Sequence, residues 1–235
     1  YKEYGFEFGK MLDGEFSICI VDFSKSKLIL VNDTFATKPL WFSQDGDKFG
    51  VASYESSLRM SGFTDIQKVA GNYSWKFDLK TLKEDDVIQL VDFDINQHKT
   101  TYDDWIKAFE KSISKRVKNT SHKIFLGLSA GYDSGAIACE LQNQNINFKA
   151  YTIASAEDKR VIRERHHRLR DGNIINLSNV EYSDVSKYIN KNCENFVYNG
   201  YDIKGDKASV GLGSICLRAN EENYRIYLSG QGSDE

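Results

Sequence analysis

Two short stretches of this chain combine small, hydroxyl-bearing and acidic residues in a pattern suited to phosphate chemistry. The first is Leu126-Gly127-Leu128-Ser129-Ala130-Gly131-Tyr132-Asp133-Ser134. An apolar run leads into a turn of small residues, and a helical pattern begins directly after it. Such a turn aims backbone N–H groups, a hydroxyl and the positive end of a helix at one point, which favours an anion there. Asp133 is a poor direct ligand for phosphate but a good one for a magnesium ion that neutralises phosphate charge. The competing reading is a tight turn whose Ser and Asp only cap a helix. The second stretch, Tyr227-Leu228-Ser229-Gly230-Gln231-Gly232-Ser233-Asp234-Glu235, is again a strand-like run ending in a glycine- and hydroxyl-rich turn with an acid. In an open parallel sheet, turns at the carboxyl ends of the strands converge on one crevice. Asp133 and Asp234 would then hold one magnesium-bound nucleotide between them. Neither of two commoner phosphate motifs is present. A Walker loop needs GxxxxGK followed by Ser or Thr, and a dinucleotide fingerprint needs three glycines where this turn has one between Ser129 and Ser134.

The elements that must position these turns alternate between strand and helix from about residue 100 onward. A helix runs through Trp105, Ile106, Phe109, Ile113 and Val117, with Thr101 as a hydroxyl cap and Asp103 and Asp104 in its first turn. Strands are expected at residues 124–128, 148–153, 174–177 and 225–228. The helices between them pass through Ile137, Ala138 and Leu141, across a charged run at 157–170, around 185–189, and briefly at 215–219. That order indicates a parallel α/β sheet. Before it the texture is mostly β. Residues 16–21 and 27–31 read as a hairpin, 39–43 and 49–52 as a second one turning at Asp45-Gly46, and 70–77 as a half-buried strand. The change of texture falls between about 80 and 100, and the expected domains are residues 1–85 and 86–235.

Composition narrows the class. With 235 residues, Lys+Arg 31 against Asp+Glu 34, net charge -3, 40% hydrophobic and 13% aromatic residues, the chain can bury a core and is not disordered. The balanced charge gives no global basic field, so no nucleic-acid partner is expected. No run approaches the ~18 apolar residues of a membrane span, so no membrane association is expected, and a cytoplasmic location is. Cys19, Cys139, Cys193 and Cys216 stand far apart without a CxxC, which speaks against a zinc ribbon and for reduced, buried thiols. His166 and His167 are adjacent, so on a helix they diverge too far to chelate one ion, and they read as solvated surface. The surrounding Arg163, Arg165, Arg168 and Arg170 read as a solvated helix face as well. The first residue is not Met and the last ones lie inside a motif, so the sequence is expected to be part of a longer protein.

At this point a family resemblance emerges. LSAGYDS is similar to the SGGxDS pyrophosphate loop of the N-type ATP pyrophosphatases, and YLSGQGSDE resembles the LSGEGSDE segment of asparagine synthetases. Upstream, LDGEFSICIVD resembles that family's LxGxFAFAxxD, NDTFATKPLWF its RDxxGxxPLYY, FGVASYESSL its faSExxaL strand and KVAGNYSWKFD its PGxY segment. The segments fall in the family's order. The resemblance implies a PP-loop α/β domain, a parallel sheet with flanking helices. Part of an antiparallel α+β, glutaminase-like N-terminal nucleophile domain would precede it. It further implies that Ser129, Gly131, Asp133 and Ser134 hold the pyrophosphate of ATP. Asp133 and Asp234 would bind Mg2+, and Leu128, Ile153, Ser229 and Gly230 would line the adenosine. The implied reaction is attack of a substrate carboxylate, small-molecule or peptide, on the α-phosphate. An acyl-adenylate and pyrophosphate result, and an amine then displaces AMP to form an amide. The resemblance allows glutamine as nitrogen donor, and it allows a homodimer.

Departures from the family pattern bear on the substrate. The family's nucleophilic cysteine lies upstream of the segment matching Tyr1, and Cys19 sits inside a strand, where it reads as core. Gln231 stands where the family has glutamate. An amide there does not titrate, so Gln231 either only hydrogen-bonds or marks a different handling of the amine. Asp206-Lys207-Ala208-Ser209 resembles an I-R-A-S segment of the substrate pocket. Lys207 keeps a cation without the arginine fork, either to hold a carboxylate or phosphate or as a surface lysine. Gln231 and Lys207 are the candidate catalytic residues. Two further readings stay open: an intramolecular cyclase resembling β-lactam synthetases or lasso-peptide cyclases, and a catalytically degenerate relative.

Overall fold

In a computed structural model of the chain, the described residues are 1–154, 157–194, 197–198, 201–202, 204 and 206–230. They divide into two units, Tyr1–Gln97 and His98–Glu235. The first opens with a short 3-10 helix at Gly5–Met11. Strands β1 (Ser17–Asp22) and β2 (Lys27–Asn32) pair antiparallel, with Ile18 opposite Val31 and Ile20 opposite Ile29. Strands β3 (Trp41–Asp45) and β4 (Lys48–Ala52) form the second hairpin. Helix α1 (Glu55–Met60) and strands β5 (Ile66–Lys68), β6 (Tyr73–Asp78) and β7 (Glu84–Gln89) complete the unit. Two antiparallel sheets result, ordered β1-β2-β6-β7 and β4-β3-β5.

Strand β2 is apolar at consecutive positions because both of its faces are covered. Leu28 and Leu30 pack with Leu40, Phe42, Val69 and Phe77 on one side, while Ile29 and Val31 pack with Phe8 and Leu90 on the other. Strand β7 (EDDVIQ) carries no strand-like alternation and is absent from the sequence reading. It exists because β6 offers it a partner, and its acids face water while Asp85 pairs with Lys27 and Lys76. After β2, the carboxylate of Asp33 closes a turn by accepting from the N–H groups of Phe16, Phe35 and Thr37 and from the Thr37 hydroxyl at 2.6 Å. Burial alone would raise its pKa. The Thr37 hydroxyl and the three N–H groups outweigh that and hold the carboxyl below its ordinary range. The same turn forces Ala36 to φ 49°, a left-handed conformation.

The second unit runs α2 (Asp103–Val117), β8 (Lys123–Gly127), α3 (Tyr132–Asn143), β9 (Phe148–Ile153), α4 (Lys159–Arg168), β10 (Gly172–Ile175) and α5 (Asn179–Asn192). A small hairpin of β11 (Val197–Tyr198) and β12 (Tyr201–Asp202) follows, then α6 (Lys207–Glu221) and β13 (Tyr224–Leu228). Strands β10, β9, β8 and β13 lie in that order, all parallel. Successive residues of β8 feed opposite faces. Ile124 and Leu126 pack with Ile113, Val117, Ile137 and Leu141, whereas Phe125 packs with Tyr151, Ile215 and Ala219.

Several expectations need correction. Helix α6 has 15 residues, not a short turn around 215–219. Gly213 marks where α5 approaches: a Cβ there would lie 2.7 Å from Ile189 Cδ1 and 3.2 Å from Val185 Cγ1. Thr101 does not cap α2; Tyr102 occupies that position, and the Thr101 hydroxyl donates to Asp103 at 3.2 Å. Trp105 and Ile106 on the first turn of α2 are exposed, and burial begins further along with Ile113 and Val117. The four cysteines are free but exposed, not core residues. Cys19 alternates outward on the edge strand β1, while Ile18 and Ile20 turn inward. Among the described residues no helix is long and apolar enough to cross a membrane.

Candidate functional site

The strand order decides where the two turns meet. From β8 the chain moves through β9 to β10, then returns across α5 and α6 to the opposite flank of β8 as β13. The reversal therefore lies between β8 and β13, and a crevice opens beyond their carboxyl ends. The register pairs Leu228 with Leu126, so both turns leave the sheet side by side. They touch at Gly230. A Cβ on Gly230 would fall 2.7 Å from Asp133 Cβ and 3.1 Å from both Asp133 C and Ser134 N. Only glycine allows the β13 turn to rest this closely on the first turn of α3.

Within the loop, residues 129 to 134 are tied together. The Ser134 hydroxyl is buried and accepts from the Ser129 N–H at 3.0 Å, and the two serine hydroxyls lie 2.9 Å apart. The Gly131 N–H donates to Ser129 Oγ at 3.1 Å. Gly131 precedes α3 and has no side chain with which to cap it, so the helix N-terminus keeps its positive end uncapped from that position. The Ala130 N–H donates to Glu157 Oε2 at 2.6 Å. A carboxylate thus sits on a loop amide, in the manner in which a backbone N–H holds an oxyanion. Glu157 was not among the residues expected at the site. It follows β9, and nothing local in the sequence ties it to Ala130.

The other expected residues fall as follows. Asp133 is half-buried beneath Gly230. Leu128 is 2% exposed and belongs to the core, so only its backbone reaches the site; its carbonyl accepts from the Thr152 hydroxyl at 2.6 Å. Ile153 ends β9 and is partly buried, 3.5 Å from where a Cβ of Gly211 on α6 would stand. Ser229 is exposed at the end of β13. Lys207 is exposed at the start of α6. Because α6 hands the chain to β13 at the amino edge of the sheet, that start lies at the carboxyl edge, on the side of the loop. Gln231 and Asp234 lie outside the described residues. Among the described residues no group of three or more His, Cys, Asp or Glu side chains could hold a metal. Asp133 fits magnesium as one carboxylate among phosphate and water oxygens, which is how that ion is usually held.

Two members of the basic run are half-buried and hydrogen-bonded to the fold. Arg165 Nη1 donates to the carbonyls of Ser129 and of Gly131, the latter at 2.8 Å. His166 is half-buried with Nε2 2.8 Å from the Thr152 hydroxyl. That hydroxyl gives its one proton to the Leu128 carbonyl, so Nε2 must be the donor and carries the ring proton. Burial pushes the imidazole pKa down and favours this neutral form. His167, Arg163, Arg168 and Arg170 are exposed, as expected. A cavity of about 790 Å³ lies between α3 and α4, lined by Tyr132, Cys139, Arg160, Arg165 and others, and of the expected site residues it includes Leu128 alone. It lies along the helices, whereas the crevice lies at the strand ends.

Known proteins give an independent view. A family model described as a glutamine amidotransferase domain matches residues 1–60, and one described as asparagine synthase matches residues 104–235. The chain is 26% identical over 261 residues to the asparagine synthetase (glutamine-hydrolyzing) of Mus musculus, covering 96% of this chain and 45% of that protein. It is 25% identical over 251 residues to a putative asparagine synthetase (glutamine-hydrolyzing) of Methanocaldococcus jannaschii, covering 95% of this chain and 44% of that protein. The chain thus spans less than half the length of these relatives. Among solved structures, the glutamine phosphoribosylpyrophosphate amidotransferase from B. subtilis matches with a TM-score of 0.30 and 15% identity, over 75% of this chain and 45% of that one.

Proposed function

The chain belongs to the asparagine synthase family, and from that premise we propose that its second unit binds ATP at the loop of residues 129–134 and couples ATP cleavage to amide formation. The observation that carries this reading is the carboxylate on the Ala130 N–H, in a loop that closes against Gly230 at the switch point of a parallel sheet. A turn that already holds one oxyanion on a backbone amide is equipped to hold the oxygens of a pyrophosphate. The match of residues 1–60 to a glutamine amidotransferase domain supports glutamine as the source of the amine.

In this reading a substrate carboxylate, small-molecule or peptide, attacks the α-phosphate of ATP. The bond to the bridging oxygen breaks, pyrophosphate leaves, and an amine then displaces AMP from the acyl group. The loop amides and the N-terminus of α3 hold the pyrophosphate oxygens and stabilise the charge that builds on them. The hydroxyls of Ser129 and Ser134, 2.9 Å apart, keep the loop in shape and offer one further donor once a ligand arrives. Asp133, with Asp234, would hold magnesium, which neutralises phosphate charge when bound. Lys207, exposed at the start of α6, would supply a cation to orient the substrate carboxylate.

The test uses the full-length protein with labelled ATP, glutamine or ammonia, and a panel of carboxylates. Pyrophosphate and AMP should appear together with one of the carboxylates, and Asp133→Ala should abolish turnover. Release of ADP in place of AMP, or full turnover by the Asp133→Ala variant, would refute the reading. Turnover that needs neither glutamine nor ammonia would shift it to the cyclase.

A further inference from the structure

The carbonyls of the loop are held as deliberately as its amides. Thr152 takes the carbonyl of Leu128, and Arg165 takes those of Ser129 and Gly131 with a single guanidinium nitrogen. A trans peptide is planar, with its C=O and N–H pointing in opposite directions. Fixing the Ser129 carbonyl therefore fixes the direction of the Ala130 N–H, and fixing the Gly131 carbonyl fixes that of the Tyr132 N–H at the start of α3. The first of these amides is the one that carries the Glu157 carboxylate.

Arg165 reaches the loop because α3 lets it lie flat against the helix at Gly135. A Cβ there would fall 2.6 Å from Nη2 and 2.8 Å from Cζ. The neighbouring charges do not compete for it: Glu164 is paired with Arg168, and among the described residues Arg165 forms no ion pair. Its charge stands behind a loop that is read as binding an anion.

We propose that Arg165 is a positioning residue for this loop, a clamp that aims the Ala130 and Tyr132 amides at the pyrophosphate end of ATP. The proposal rests on the reading of the loop as the pyrophosphate site. It identifies a residue on α4 that sets the donor geometry without touching the reacting atoms. Gly135 is the second half of the device, since any larger residue there displaces the guanidinium.

The experiment titrates inorganic pyrophosphate with magnesium into the full-length protein by calorimetry, for wild type, Arg165→Met, Arg165→Lys and Gly135→Ala, alongside thermal melting and the KM for ATP. Arg165→Met removes the donors but keeps an apolar stem, and should weaken pyrophosphate binding and raise the KM by on the order of ten- to a hundredfold. Arg165→Lys should recover part of the loss, because one ammonium can donate to both carbonyls. Gly135→Ala pushes away the flexible end of the arginine while favouring the helix, so it should weaken binding similarly with an unchanged or higher melting temperature. This last variant keeps the test decisive if Arg165→Met folds poorly. Wild-type affinity in Gly135→Ala, or in a folded Arg165→Met, would overturn the clamp while leaving the site reading intact. Failure of the wild type to bind pyrophosphate would overturn the site reading and the clamp with it.

Discussion

Gly230→Ala is the sharpest perturbation the site offers, because a single methyl group tests whether the two turns meet. The added Cβ would stand 2.7 Å from Asp133 Cβ and 3.1 Å from the backbone at Asp133 C and Ser134 N. Carbon atoms in ordinary contact sit about 3.5–4.0 Å apart, so the shortfall is roughly 1 Å. A flexible side chain could swing aside, but here the neighbours include backbone at the start of α3, and either the β13 turn or the loop must move. Overpacking of this kind costs about 1–3 kcal/mol. If the unit absorbs it as strain, its melting temperature falls by about 3–10 °C. If the turns separate instead, stability changes little, but the loop donors are displaced by close to 1 Å and turnover drops by on the order of a hundredfold. Calorimetric melting and ATP-dependent pyrophosphate release, measured on the same preparation, distinguish the two routes. A Gly230→Ala protein with both wild-type melting and wild-type kinetics would refute the convergence of the turns.

Three further outcomes follow from the same geometry. Glu157→Ala frees the Ala130 amide from its internal carboxylate, so pyrophosphate should bind more tightly, on the order of tenfold for one charge-assisted hydrogen bond no longer displaced; weaker binding would mean that Glu157 supports the loop and does not compete for it. Ala36→Gly relieves a left-handed residue, removing about 1–2 kcal/mol of strain and losing about 0.5–1 kcal/mol to chain entropy, so the melting temperature of the first unit should rise, and a fall would be contrary to the conformation at Ala36. The folded pKa of His166 lies below its ordinary value of about 6.5, so the unfolded chain binds the proton first as pH falls. Its contribution is therefore fully present above about pH 6.5 and is lost from there down to the folded pKa; His166→Gln should flatten the melting profile between pH 5 and 7, and an unchanged slope would count against a buried neutral ring.

Features that local rules govern could be read from the chain's residues alone. The LSAGYDS turn, the alternation of strand and helix around it, the hairpins at β1–β2 and β3–β4, and the parallel sense of the second unit's sheet all follow from periodicity and from what glycine and small residues permit over a few positions. Contacts between residues distant in sequence emerged only in the folded chain. Glu157 meets Ala130 across 27 residues, and Arg165 meets Ser129 across 36. In a one-dimensional reading these are an acid after a strand and one arginine in a solvated run, because hydrophobic periodicity says which face of α4 is apolar but not which polar residues face a carbonyl. Strand β7 forms only because β6 pairs with it, and α6 stays whole through Gly213 because α5 packs into the space. Cys19 faces water because its register on an edge strand places Ile18 and Ile20 inward. The shape of a contiguous loop was thus legible in the sequence, and the side chains that the fold brings to that loop's peptide groups were not.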